Sequence, residues 1–284
     1  MSPKATPADV TIAGRDLRFE LSAVKEGHWF NGDPVATAVF NAFSLTFPEG
    51  ERLFIEAVRH FRPQVSGKLL EDVRGFIAQE AIHAREHHAL NQLIDRDRYP
   101  VAELEAEVKA LVEQPRSRGP MIMLCGTIAL EHFTAMLAEV RSMLPESFFG
   151  DTDPRIERMW TWHAMEETEH KAVAYDVFMF VTRDWSPLRR YLTRVFFMMQ
   201  LTLLFTAKIQ EFAARLLQAD GYSPRAAKAA VRHYVWSDPG IFRIGWREYI
   251  SWYRPGFHPW DNDNRALINA WKAEFGDGLT PATA

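Results

Sequence analysis

A glutamate followed by a histidine three residues later occurs twice in the sequence, at Glu80–His83 and Glu167–His170. Apolar residues recur around each pair with the spacing of three or four residues that is typical of an α-helix. Residues three apart lie on one face of a helix, so each pair can direct one carboxylate and one imidazole toward the same point. This pattern favours a fold in which two helices bring these two faces together.

Apolar periodicity extends over most of the chain and predicts an all-α fold. The predicted helices cover residues 48–65, 70–95, 101–114, 121–144, 155–181, 185–220, 223–236 and 265–275. Residues 1–34 carry only short mixed segments and are predicted to form an irregular lead-in. The chain has 284 residues, of which 47% are hydrophobic, and is long enough to bury a sizeable core. We expect a single domain over residues 35–284, with a four-helix bundle over about 48–181 and a helical extension over about 185–276.

A bundle that holds two metal ions through this repeated pattern takes one further glutamate from each of its other two helices. Glu131 is the first charged residue after a long apolar run, and a buried carboxylate there would need a partner. In the first bundle helix, Glu51 shares a face with Phe54 and Val58, whereas Glu56 shares a face with charged residues. We therefore predict Glu51 and Glu131 as the two additional carboxylates.

The positions of these glutamates agree with antiparallel helix pairs, in which facing residues lie equally far from the turn. The midpoint between Glu51 and Glu80 falls at the predicted turn Ser66–Gly67, and the midpoint between Glu131 and Glu167 falls in the next predicted loop. The segment between the second and third bundle helices is long enough to cross over. These features predict a ferritin-like, one-crossover bundle with a di-metal core.

His163 extends the pattern because it precedes Glu167 by about one helical turn and lies on the same face. The predicted metal ligands are four carboxylates and three imidazoles: Glu51, Glu80, His83, Glu131, His163, Glu167 and His170. This donor set suits two iron ions, or iron with manganese. Asp72 and His87 lie on the same stripe of the second helix as Glu80 and are predicted to orient the ligands from outside.

Residues adjacent to these ligands in the sequence are expected to point elsewhere. We expect solvated or packing roles for His88, His132 and Glu166. Glu169 and Lys171 are expected to lie on a solvated face of the fourth bundle helix.

Four segments resemble a bacterial family of predicted metal-dependent hydrolases. They are residues 79–87, 129–134, 162–171 and 253–260, and the resemblance extends over about residues 45–262. Separately, the set of seven ligands is similar to that of the p-aminobenzoate N-oxygenase type of ferritin-like diiron enzyme, in which an extra histidine precedes the last Glu-x-x-His pair. The similarity to that enzyme is confined to the ligand motifs, so its amine substrate is not carried over.

The diiron resemblance implies an oxidoreductase that activates O2 to oxygenate or oxidise a small, apolar organic substrate. Glu80, Glu131 or Glu167 would then be the bridging, catalytic carboxylates. The alternative is a di-metal hydrolase, because two metal ions can lower the pKa of a bound water and create a hydroxide nucleophile. Zinc would be the expected metal of such a hydrolase. Iron storage or a structural metal forms a third, less favoured class.

Composition and charge exclude several types of metal site and function. The single cysteine, Cys125, excludes four-cysteine zinc sites and cysteine-bound iron–sulfur clusters. A net charge of −4 gives no indication of nucleic-acid binding. No nucleotide or flavin motif occurs in the sequence, so an oxidase would need a separate electron donor. The N-terminus lacks the apolar segment of a secretory signal, and we expect a cytoplasmic location.

Two apolar regions in the second half of the chain leave alternatives open. The aromatic block 236–260 would either form the wall of a substrate cavity or pack the extension against the bundle. The stretch 195–207 is short for a membrane span and is expected to be a buried helix or the face of a homodimer. Basic residues precede it, at Arg189, Arg190 and Arg194, so contact with a membrane surface is the less favoured alternative.

Overall fold

The computed structural model describes residues 5–24 and 27–275, and the part of the chain that it describes is helical with no β-strand. The prediction of an all-α fold is therefore confirmed. The described residues of the predicted lead-in form no α-helix before Pro34, and they contain turns and one short 3₁₀ helix at Leu21–Ala23. Residues 1–4 and 25–26 of that lead-in, and residues 276–284 at the end of the predicted domain and extension, lie outside the described residues.

Eleven α-helices occur within these described ranges. They are α1 Pro34–Phe61, α2 Gly67–Asn91, α3 Val101–Arg118, α4 Pro120–Met143, α5 Pro154–His170, α6 Val173–Val181, α7 Pro187–Ala219, α8 Pro224–Trp236, α9 Ile241–Ile244, α10 Trp246–Ser251 and α11 Arg265–Phe275. Helices α1, α2, α4 and the pair α5–α6 pack against one another, and α3 connects α2 with α4. Helices α7 and α8 lie behind α1 and α4. The predicted ligands thus lie on four mutually packed helices.

Helix α1 begins fourteen residues before the predicted start at residue 48, so that prediction is wrong. The true start is at Pro34, where the side chain of Asp33 accepts hydrogen bonds from the first backbone N–H groups. Pro48 lies inside the helix and has no N–H to donate to the carbonyl of Ser44. The side-chain amide of Asn91 on α2 donates to that carbonyl instead, at 3.0 Å. A contact between two helices thus compensates for the proline, and the α1 sequence alone cannot reveal it.

The fourth bundle helix is divided, in contrast to the single helix predicted over 155–181. Helix α5 ends at His170, a turn follows at Lys171 and Ala172, and α6 begins at Val173. The turn contains neither glycine nor proline, so the usual local signals of a helix end are missing.

The N-terminal segment packs closely over α2. A side chain at Gly75 would collide with the backbone carbonyl of Ile12, so glycine is required where the two backbones meet. The amide of Gln79, one turn further along α2, donates to the carbonyl of Ala13 at 3.1 Å. These contacts hold the nearby residue Arg15 against the bundle.

Candidate metal centre

The seven predicted ligands converge in the interior of the bundle, and all seven side chains are buried. They form three overlapping groups, and in each group the potential ligand atoms lie within 4.8 Å of one another. The groups are Glu51 with His83 and His163, Glu80 with His83 and Glu167, and Glu80 with Glu131 and His170. Two of the groups have no residue in common, which is the arrangement required for two neighbouring ions.

The carboxylate of Glu167 lies between the two ends of this cluster. Its Oε1 is 2.8 Å from His163 Nε2 and 3.5 Å from His83 Nδ1. Its Oε2 is 3.4 Å from His170 Nε2, at the other end. Glu80 is also near both ends, because Oε1 lies 3.1 Å from His170 Nε2 and the residue shares a group with His83. Glu167 and Glu80 would therefore be the carboxylates within reach of both ions of a dinuclear centre.

Nine buried atoms of this cluster have no hydrogen-bond partner among the described residues. They are both carboxylate oxygens of Glu51, Glu80 and Glu131, together with Glu167 Oε2, His83 Nδ1 and His170 Nε2. A buried polar group without a partner costs about 1–3 kcal/mol, and a charged one costs more. Carboxylate oxygens and imidazole nitrogens are donors to iron, manganese and zinc. The residues present thus fit a metal centre, which would satisfy the atoms that hydrogen bonds do not.

The electrostatics of the cluster also favour added positive charge. Burial, together with the nearby Glu80, raises the pKa values of Glu51 and Glu131 well above the ordinary value. Burial acts in the same direction on Glu167, but the adjacent His170 and His163 bring its pKa well below the ordinary value. Several carboxylates in one dry space cannot all ionise without compensation. Metal cations would provide that compensation.

Each of the three imidazoles is held from outside through its second ring nitrogen. His83 Nε2 lies 3.0 Å from Glu166 Oε2, and His170 Nδ1 lies 2.9 Å from Gln79 Oε1. His163 Nδ1 lies 2.6 Å from His87 Nε2. In each case the other nitrogen is turned toward the carboxylates. Histidine ligands of metals are typically oriented in this way.

Charged residues around Glu166 form an outer layer that the sequence analysis placed wrongly. Glu166 and Glu169 were expected to point away or to face solvent, yet both are fully buried. Arg15 of the N-terminal segment donates to Glu166 at 2.8 Å and to Glu169 at 2.7 Å. Gln79 Nε2 and Lys272 Nζ also contact the Glu169 carboxylate, at 2.9 and 2.7 Å.

Lys171, expected on the same solvated face, is buried with its amine 2.7 Å from the carbonyl of Asn262. The sequence signal that could have indicated this layer is the presence of three glutamates among the four residues 166–169, because one helical turn cannot direct all three carboxylates to the same point.

The two residues predicted to support the ligands have different surroundings. His87 contacts His163 directly, as described above, and its Nδ1 lies 2.9 Å from Ser44 Oγ. Asp72 instead accepts a hydrogen bond from Lys68 Nζ at 2.8 Å. Among the described residues no hydrogen bond joins Asp72 to a ligand, so its predicted supporting role is corrected. Lys68 is one turn away on the same helix and takes up the carboxylate.

His88 and His132 also lie next to ligands in the sequence and were expected to be solvated or to pack against other side chains. His88 is exposed on α2. His132 is buried, lies 3.1 Å from the carbonyl of Glu248, and packs against Trp252 and Phe257. Burial lowers the pKa of His132 to about 3, so this ring is neutral.

An apolar cavity lies against one end of the cluster and includes His163 and Glu167 in its wall. Its empty volume, open mouth included, is about 660 Å³. Aromatic rings supply much of the wall: Phe40, Phe43, Phe47, Phe148, Phe149 and Trp160. Of the predicted aromatic block 236–260, only Ile241 lines it. Trp252 and Phe257 pack against α4 and α6 instead, so for them the packing alternative applies.

Comparison with known proteins gives one match. The model of a family described as predicted metal-dependent hydrolase matches residues 13–263, which include all seven ligands and Arg15. Neither the curated proteins nor the solved structures contain a significant match.

Proposed function

Because this chain belongs to the predicted metal-dependent hydrolase family, we propose that it is a metal-dependent enzyme whose cofactor is a dinuclear centre. The observation that carries the proposal is the set of nine buried ligand atoms without hydrogen-bond partners. Glu51, His83 and His163 would hold one ion, and Glu131 with His170 would hold the other. Glu80 and Glu167 would contact both.

Two bound ions would supply Lewis acidity that lowers the pKa of water or, if they are iron, would supply electrons to O2. The protein itself contributes a dry, shaped space next to these ions. The phenyl rings of the cavity exclude water and accept an apolar substrate beside His163 and Glu167. We therefore propose a small, largely apolar organic substrate.

The outer contact of His163 determines its proton position. When His163 Nε2 faces a metal ion, Nδ1–H donates to His87 Nε2, and His87 Nδ1–H donates to Ser44 Oγ. Burial, together with His163, keeps the pKa of His87 well below the ordinary value, so this second ring remains neutral. His163 is thereby held in the tautomer that a metal ligand requires.

The first candidate reaction is hydrolysis, because the family description supports it. The second candidate is O2-dependent oxidation at a diiron or iron–manganese centre. Four carboxylates and three imidazoles in an apolar setting are the observation that favours the second candidate. Such an oxidase would take its electrons from a separate donor.

Metal analysis of purified protein tests the dinuclear centre. We expect about two ions per chain when zinc, iron and manganese are all available during expression. Glu131→Ala should lose metal, whereas Glu49→Ala, a partly exposed glutamate two residues from Glu51, should keep it. A wild-type protein that binds no metal, or a Glu131→Ala variant that binds as much as wild type, would contradict the proposal.

Loading with different metals distinguishes the two reactions. The first candidate predicts that zinc-loaded protein cleaves apolar esters or amides without O2. The second predicts that protein loaded anaerobically with ferrous iron consumes O2 when it is admitted. The Leu137→Trp variant, which narrows the cavity without touching a ligand, should slow whichever reaction occurs.

A further inference from the structure

Helix α7 presents a row of large apolar side chains to solvent. Leu188, Leu192, Phe196, Met199 and Leu203 follow one another at intervals of three or four residues and are 54–71% exposed. This spacing places them on one narrow stripe of the helix. The expectation that residues 195–207 form a buried helix is therefore wrong for this stripe. An exposed apolar surface of this length marks a contact site.

The opposite side of α7 is packed against the protein. Met198, Ile209 and Phe212 are fully buried there, and α7 contacts α1, α4 and α8. Among the described residues, α4 and α7 are long and apolar enough to cross a membrane. About half of the apolar window in α4 is buried, as in a core helix, whereas only 17% of that in α7 is buried. Because one side of α7 is packed against the bundle, only its other side is free to contact a membrane. This is the geometry of a helix that lies along a membrane surface and does not cross it.

The segment that carries the stripe has no acidic residue, because no aspartate or glutamate occurs between Asp184 and Glu211. Arg189 is exposed at the N-terminal end of the stripe, and its guanidinium stacks 3.9 Å above the ring of Trp185. Arg190 is half-buried on the other side of the helix. Arginine beside tryptophan, next to apolar side chains, is typical of protein surfaces that contact lipid headgroups.

Helix α10 adds further residues of the same kind. Its Tyr249 hydroxyl lies 3.0 Å from Thr202 Oγ1, which places α10 beside α7. Trp246 and Ile250 of α10 are about half exposed, and Arg247 between them is exposed. The surface formed by the stripe together with Arg189 is called the α7 face below.

We propose that the α7 face binds the surface of an anionic lipid membrane. The charges favour lipid over a second copy of this chain. In a homodimer the same face would be opposed to itself, and residues 185–210 offer no carboxylate to Arg189. Anionic headgroups provide that negative charge, and the acyl chains accept the leucine and phenylalanine side chains.

Co-sedimentation with vesicles tests the proposal, using the full chain with its metals. Phosphatidylcholine vesicles that contain phosphatidylglycerol should bind the protein, and binding should weaken as salt rises. Pure phosphatidylcholine vesicles should bind it less. The variant Arg189→Gln should lower the partition constant by about fivefold, the expected effect of losing one basic residue at an anionic surface. The variant Arg59→Gln removes the same charge from an exposed position near the end of α1 and should bind like wild type.

A second variant, F196Q/L203Q, distinguishes between a membrane and a second copy of this chain as the partner of the α7 face. Both side chains are exposed, so the fold should be retained, and circular dichroism checks this. The proposal expects a monomer before and after the change, with vesicle binding lost. A wild-type dimer that this variant converts to a monomer, or equal binding of wild type and Arg189→Gln to anionic vesicles, would overturn it.

Discussion

The substitution Glu131→Gln should affect metal binding and metal-free stability in opposite directions. Both oxygens of Glu131 are buried and without hydrogen-bond partners. Burial and the neighbouring Glu80 raise its pKa, which means that the ionised form is disfavoured in the absence of metal. Glutamine has nearly the same shape and is neutral without taking up a proton, and its amide offers two donors to adjacent carboxylates where a protonated carboxyl offers one. A residue retained for metal binding should therefore be a source of instability when the metal is removed.

The size of the effect follows from the lack of partners. Relieving an unsatisfied buried group contributes about 1–3 kcal/mol, so metal-free Glu131→Gln should melt a few degrees above metal-free wild type. Glu169→Gln is the matched control, because Glu169 is equally buried but is paired with Arg15 and Lys272. Breaking a buried charge pair costs about 3–5 kcal/mol, so this variant should melt well below wild type.

Thermal unfolding after complete chelation, followed by circular dichroism near neutral pH, measures both variants. Metal content is determined in parallel on samples that have not been chelated. Glu131→Gln should have lost metal and gained stability, whereas Glu169→Gln should have lost stability. If metal-free Glu131→Gln melts below wild type, or if it retains two ions, the assignment of Glu131 as an unpaired metal ligand is refuted.

Three further variants examine the surroundings of the centre. Glu166→Gln removes the carboxylate contact that holds His83 and should weaken metal binding by about 10–100-fold in chelator competition. Glu157→Gln, at a partly exposed position on the same helix, should leave metal binding unchanged. His87→Gln should weaken metal binding by a similar factor because it changes the contact to His163. The control His88→Gln, at an exposed position, should leave metal binding unchanged. Equal effects of the two substitutions would argue against a role for the His87–His163 contact. Leu137→Trp should lower kcat/KM by about tenfold and leave the metal content unchanged. A loss of metal would contradict the assignment of Leu137 to the substrate cavity alone.

Local periodicity was sufficient to predict most of the long helices and which side chains share a helix face, but it missed the start of α1, the division between α5 and α6, and the short helices α9 and α10. Helix α11 has the predicted bounds, and α4 and α8 begin within one residue of theirs. Residues at i, i+3 and i+4 necessarily share a helix face, so Glu80 with His83, and His163 with Glu167, could be paired from spacing alone. The seven side chains lie together in the structure because the bundle aligns four such faces.

The outer layer could not be predicted in the same way, because it depends on contacts between distant segments. Arg15 is about 150 residues from the acidic pair that it binds, and its segment carries no regular pattern. Gln79 is likewise an unremarkable polar residue in the sequence, yet it contacts both His170 and Glu169. Burial of a charged side chain is a tertiary property, and periodicity does not distinguish a solvated face from one covered by another segment.

Pro48 connects the main error in the helix boundaries with the chemistry of the site. Because a proline cannot donate to the carbonyl four residues before it, the Ser44 carbonyl is available for the Asn91 amide. Asn91 in turn accepts from the Ser44 hydroxyl at 2.7 Å, and that hydroxyl contacts His87, the ring that holds His163. The proline that resembled a helix start therefore leaves a backbone acceptor at the outer end of the His163 hydrogen-bond chain. A Pro48→Ala substitution would restore a backbone N–H that competes with Asn91 for the Ser44 carbonyl. We therefore expect it to change the metal affinity through His163, measured by chelator competition, as well as the stability of α1.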